Sequence, residues 1–125
     1  MIRTLAALAV FGTLGCWARY FQAIWVQNLL GQEFPYAIFS INVIGSFLMG
    51  FLFILTLERL AVSPALRVGV LTGFVGAYTT FSSFEMETLL LMQHGQGGKA
   101  ALYVALSVGL GLLAAFFGAY LARSI

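Results

Sequence analysis

Charged residues are scarce in this chain. Of its 125 residues, 8% are Asp, Glu, Lys or Arg and 62% are hydrophobic, whereas a water-soluble domain carries about a quarter charged residues. A mean hydropathy of +1.01 points the same way. The net charge of +2 is too small to favour nucleic acid as a partner. The single cysteine, Cys16, excludes an intrachain disulfide and reads as a small packing residue. Equally missing is any enzymatic constellation. No His, Cys and carboxylate residues stand at metal-ligand spacing, no glycine-rich phosphate loop follows a strand, and the serines have no histidine partner at membrane depth. The one histidine, His94, lies in a turn. With no internal repeat and no low-complexity segment, residues 1–125 read as one domain.

What the chain has instead is long apolar runs. Phe34 to Leu57 and Ala100 to Ala122 contain no charged residue, and each exceeds the ~20 residues of a spanning helix. Two more spans carry isolated charges: roughly Arg3 to Gln27, interrupted by Arg19, and roughly Leu66 to Gln93, with Arg67 at its start and interrupted by Glu85 and Glu87. The expectation is an all-α integral membrane protein of four transmembrane helices, at about 3–28, 35–59, 65–93 and 98–123. Arg3 and the apolar run after it resemble a signal peptide, but Arg19 and the continuation to Gln27 do not look like a cleavage region. Pro35 suits a first helical turn, and Ser63-Pro64 reads as an N-cap with Pro at the first helical position. Four helices put both termini on one side with the 58–67 loop. That side collects Arg3, Arg59, Arg67 and Arg123, against Lys99 and Arg19 opposite. The excess favours cytoplasmic termini in a plasma (inner) membrane, by a small margin.

Small residues recur along the helices: Gly12 and Gly15, then Gly45, Ser46 and Gly50, then Gly109, Gly111 and Gly118. They read as close-packing positions, and Ser46 to Gly50 has small-xxx-small spacing. Four helices enclose little interior, so oligomerisation is expected.

Several polar residues stand where a membrane helix should be apolar. Asn42 lies within the second span and reads either as an interhelical hydrogen bond or as a donor on an aqueous path. In Gly73-Phe-Val-Gly-Ala-Tyr-Thr-Thr-Phe-Ser-Ser-Phe84, two glycines weaken the helix and Thr79, Thr80, Ser82 and Ser83 offer hydroxyls. Unwinding between about Val75 and Thr80 would free carbonyls for a monovalent cation such as Na⁺ and expose a new helix N-terminus to an anion. Phe81 and Phe84 share one face, and an aromatic edge carries positive quadrupole charge. Tyr103, Ser107 and Gly111 follow at steps of four on the last helix. Tyr103 reads equally as part of a polar stripe or as an interfacial anchor. Glu87 is placed to accept hydrogen bonds from pore hydroxyls.

These residues resemble the Fluc (CrcB) family of fluoride channels over nearly the whole chain. Three segments carry the resemblance: Gly12-Thr-Leu-Gly-Cys-Trp-Ala-Arg19-Tyr20, Asn42-Val-Ile-Gly45-Ser-Phe-Leu-Met-Gly50 and the run from Gly73 to Phe84. The resemblance implies a dual-topology homodimer of antiparallel copies in the lipid bilayer, with two fluoride pores along the subunit interface. It implies passive export of fluoride trapped inside the cell. By this resemblance Phe81 and Phe84 line the pore, and Asn42, Tyr103 and Ser107 belong to the anion pathway. The hydroxyls of Ser82 and Ser83 and the carboxylate of Glu87 are added to that pathway as candidates from their residue types and places. Arg19 lies toward a vestibule, and backbone carbonyls of Gly76 and Thr79 hold a central structural Na⁺. The chain departs from the family pattern at Ala77, where a second glycine is usual, at Ala37-Ile38, where Gly-Thr is frequent, and at Gly111, where a second serine is frequent. A small multidrug exporter of the same length depends on a carboxylate in its first helix, and this first helix has none. A purely structural membrane subunit would account for the glycines but not for the Thr-Thr-Phe-Ser-Ser-Phe run.

Overall fold

The computed structural model describes all residues, Met1–Ile125, and contains only helices and their connections. Helix α1 runs Ile2–Leu30 and stops at Gly31, whose N–H still bonds the Gln27 carbonyl and whose φ of 77° turns the chain out of the helix. Pro35 precedes α2, Tyr36–Ile54, which continues through a wide π-type turn, Leu55–Arg59. Ser63 Oγ accepts the Leu66 N–H at 3.3 Å and opens α3, Pro64–Val68, with Pro64 in the first turn. Wide turns follow over Gly69–Val75, then one helical turn, α4, Gly76–Tyr78. Helix α5 spans Phe81–Gln93, and α6 spans Gly97–Ser124.

Three of these stretches are long and apolar enough to cross a membrane: Ile2–Leu30, Tyr36–Arg59 and Gly97–Ser124. The protein is an all-α, multi-pass membrane protein. The remaining apolar stretch is divided between α3, α4 and α5 by a short extended segment. Thr79 (φ −77°, ψ 159°) and Thr80 (φ −151°, ψ 112°) are its two residues. The interruption is narrower and later than the unwinding expected from Val75 onward. Val75 explains this: its carbonyl accepts both the N–H and the hydroxyl of Thr79, each at 3.0 Å, and keeps Gly76–Tyr78 helical. The flanking glycines widen the helix over Gly69–Val75 instead of opening it.

Helices α2 and α6 form the most extensive pair, and α1 lies along the wide turns and α4. The α2–α6 approach needs glycine on both sides. A Cβ at Gly50 would overlap the Ala115 carbonyl, and one at Gly118 would overlap the Phe47 carbonyl. The buried cluster sits beside the break, from Ile38 and Ile41 on α2, Tyr78, Phe84, and Tyr103 on α6. Only 19 of the 125 residues are buried, so most of the apolar surface is left for lipid or another subunit to cover.

Candidate functional site

The break is held open from α2. Asn42 Oδ1 accepts the Thr80 N–H at 2.9 Å, and Asn42 Nδ2 donates to the Thr80 carbonyl at 3.1 Å. Taking the Thr80 N–H away removes the donor that would return to the Gly76 carbonyl in a continuous helix. Thr80 also caps α5 with its own hydroxyl, which accepts the Ser83 N–H at 3.3 Å and donates to Ser83 Oγ at 3.0 Å. That cap removes the helical donor of the Thr79 carbonyl in turn. Gly45 lets α2 lie against the break, since a Cβ there would overlap Thr79 Cγ2. Thus two carbonyls at Gly76 and Thr79 lose helical partners through identifiable side-chain bonds. Hard, uncharged oxygens of this kind suit a monovalent cation.

A cavity of about 320 Å³ lies beside the break. Asn42, Ser46, Phe81, Phe84 and Ser107 are among its lining residues. Asn42 has a second amide hydrogen beyond the one given to Thr80. Ser107 Oγ is buried with no hydrogen-bond partner, an arrangement that is costly unless something else occupies the site. Phe81 and Phe84 occupy the first turn of α5, their ring centroids 5.7 Å apart. Phe84 is 8% exposed but Phe81 is 70% exposed, so one ring of the pair has no cover from this chain. The positive end of the α5 dipole is at the same place. Uncommitted N–H and O–H donors, ring edges and a helix N-terminus together favour an anion without fixing a full charge against it. Ser82 is exposed, and its hydroxyl lies 3.4 Å from Thr80 Oγ1.

Beyond Phe84 the next polar group is Tyr103. The Tyr103 ring meets Phe84 in an edge contact at 5.1 Å and Phe34 at 5.6 Å, and its hydroxyl donates to Glu87 Oε2 at 2.7 Å. Tyr103 is 0% exposed, so of the two readings open from sequence it is an interior group and not an interfacial anchor. Glu87 in turn lines a larger cavity of about 790 Å³, together with Glu33, His94 and Lys99. The two cavities are thus joined by a line of contacts, Phe84 to Tyr103 to Glu87. Arg19 stands apart: it is half-buried on α1 and lines neither cavity. Of the departures from the family pattern, Ile38 is a core residue packed in the Tyr103 cluster, and Gly111 faces Ser46 across the α2–α6 contact.

Sequence reasoning missed a second polar group at the break. The Tyr78 hydroxyl donates to Gln22 Oε1, Gln22 Nε2 donates to Ser40 Oγ at 3.2 Å, and Ser40 Oγ donates to the Ala37 carbonyl at 2.9 Å. This relay ties α1, α2 and the turn before Thr79 together. The available signal was Gln22 itself, a carboxamide in an otherwise apolar stretch, exactly the argument that singled out Asn42 one helix later. Ser46 was also read only as a packing residue, because a small residue in a small-xxx-small pattern has that role by default.

Comparison with known proteins shows the family. The family described as CrcB-like protein, Camphor Resistance (CrcB), matches residues 6–119. A protein of Acidithiobacillus ferrooxidans named fluoride-specific ion channel FluC is 53% identical over 124 residues, 99% of each chain. Proteins of the same name from Acidobacterium capsulatum and Geotalea daltonii are 49% identical over 111 residues and 40% identical over 124. These alignments cover 89% of each chain for the former, and 99% of this chain and 100% of its relative for the latter. With nearly its whole length matched, the chain belongs to the CrcB family.

Proposed function

We propose that this protein is a fluoride-selective ion channel that lets cytoplasmic fluoride leave the cell by passive conduction. The observation that carries the reading is the cavity beside the Thr79–Thr80 break. There the buried, unpartnered Ser107 hydroxyl shares the lining with Asn42, which keeps a spare amide hydrogen, and with the rings of Phe81 and Phe84. Fluoride is small and holds its water tightly, so it needs hydrogen-bond donors in place of that water. Neutral donors supply them while still letting the ion go. From this cavity the ion follows Phe84 and Tyr103 to Glu87 and the larger cavity. Selectivity against chloride is assigned to the narrowness of the route between packed rings.

The channel is assigned to two antiparallel copies, with two pores along their interface, in the plasma (inner) membrane. Two features support this. Phe81 lines the cavity while remaining 70% exposed, so a second subunit completes the wall. The arginine bias between the two ends is small enough for insertion in both orientations. A structural Na⁺ is assigned to the carbonyls of Gly76 and Thr79, where it supplies a fixed positive charge at the break. The chain's own part is to keep those carbonyls free, through Asn42 and the Thr80 cap.

The test is efflux from liposomes holding the purified protein, read with a fluoride electrode beside a chloride control. Rapid fluoride release on adding a potassium ionophore, with negligible chloride release, is the expected result. Equal release of both ions, or of neither, contradicts the proposal.

A further inference from the structure

Hydroxyls on helices in an apolar medium normally bond back to their own helix, because no water is there to receive them. Several here do so. Thr13 donates to the Ala9 carbonyl at 2.7 Å, Thr56 to Leu52 at 2.7 Å, and Thr88 to Phe84 at 2.8 Å. Ser107 makes no such bond, and neither does Ser46. Both line the cavity beside the break. Ser46 lies one turn after Asn42 on the same face of α2, so a second uncommitted donor follows the carboxamide along the same wall.

Directly across from Ser46 stands Gly111, one turn beyond Ser107 on α6. A Cβ built on Gly111 would lie 3.5 Å from Ser46 Oγ. At that level α6 presents no side chain, and the only hydroxyl comes from α2. We propose that Ser46 is an anion-coordinating residue of the fluoride path, supplying from α2 the hydroxyl that α6 lacks at Gly111. The assignment rests on the channel reading above. It makes the hydrogen-bonding wall cross from one helix to the other below Ser107: Asn42 and Ser107 face the ion at one level, and Ser46 faces it a turn further on.

A packing role for Ser46 and an ion-contacting role differ in one respect that can be measured. If the hydroxyl matters for the ion, it can be moved to the opposite wall. The experiment compares fluoride release from liposomes carrying wild type, Ser46→Ala and the double variant Ser46→Ala/Gly111→Ser, with chloride in parallel. The Gly111 side has ordinary van der Waals room for the transplanted group. Ser46→Ala is expected to slow fluoride release about tenfold, the scale of one hydrogen bond to an ion. The double variant is expected to recover most of it. Wild-type rates in Ser46→Ala, or a double variant as slow as the single one, overturn the assignment and leave the channel reading standing. A wild-type protein that releases no fluoride overturns both.

Discussion

Asn42 and Thr80, 38 positions apart in the chain, are joined by both backbone groups of Thr80, its N–H donating to Oδ1 at 2.9 Å and its carbonyl accepting from Nδ2 at 3.1 Å. The side chain imitates a strand neighbour for a single residue. It thereby makes an extended backbone tolerable at a depth where unsatisfied peptide groups are expensive. The same amide keeps one hydrogen that Thr80 does not take, and Asn42 lines the cavity, so one residue belongs to both the break and the proposed ion path.

Replacing Asn42 by Ala should therefore damage stability as well as transport. Two backbone groups of Thr80 lose their partners, at about 1–3 kcal/mol for each group left buried and unsatisfied. A lowered unfolding midpoint in detergent, together with loss of fluoride release, is the expected pair of results. Lost transport at unchanged stability would show that the clamp is dispensable.

Gly45→Ala should disrupt the protein, because the new methyl overlaps Thr79 Cγ2. Overpacking of this kind costs about 1–3 kcal/mol. Thr79→Ser deletes that methyl and keeps the hydroxyl that bonds Val75. The double variant should recover part of the lost stability, less a residue due to the Tyr78 ring 3.3 Å away. Thermal melts of the four proteins give the coupling directly.

Tyr103→Phe removes the hydroxyl bonded to Glu87 at 2.7 Å and leaves the ring against Phe84. The fold should persist, with about 1.5–3 kcal/mol lost from a hydrogen bond to a charged group. Fluoride release should slow about tenfold, because the Glu87 carboxylate loses the hydroxyl that it accepts from and stands unpaired beside the passing anion. Liposome efflux at matched protein density checks this.

Tyr78→Phe is the contrasting case. Its hydroxyl braces Gln22 outside both cavities, so deletion should lower stability by about 1–3 kcal/mol through the orphaned carboxamide. Fluoride release per assembled protein should stay near the wild-type rate. A transport defect as large as that of Tyr103→Phe would place the relay in the conduction pathway.

Exchanging Na⁺ for a large organic cation should lower the unfolding temperature of the purified protein. A ligand at a hundred times its Kd contributes about 2.7 kcal/mol to the folded state, and that contribution vanishes when the ligand is withdrawn. An unfolding temperature independent of Na⁺ would remove the cation from the Gly76–Thr79 carbonyls.

Membrane class, helical content and the presence of a break in the stretch from Gly73 to Phe84 were legible from residue types alone. These are local properties: apolar runs of spanning length need no neighbour to be recognised, and two glycines beside four hydroxyls between Gly73 and Phe84 mark a weakened helix. The width of the break was not legible. It depends on Thr79 returning two hydrogen bonds to Val75, a competition between helix and side chain that composition does not resolve. Gln22 was visible as an anomaly, but its partner Tyr78 lies 56 positions away.

The sequence alone therefore determined what kind of molecule this is and which polar residues interrupt its apolar helices, because lipid accepts so few backbone arrangements that such interruptions stand out. Tertiary structure decided how each of those residues is engaged. Asn42 is committed to Thr80 with one hydrogen to spare, Tyr103 is an interior donor to Glu87, and Ser46 faces a cavity as well as a helix. The physical reason is that a donor becomes available to an ion only when nothing in its own chain takes it, and that depends on which helices come to lie side by side.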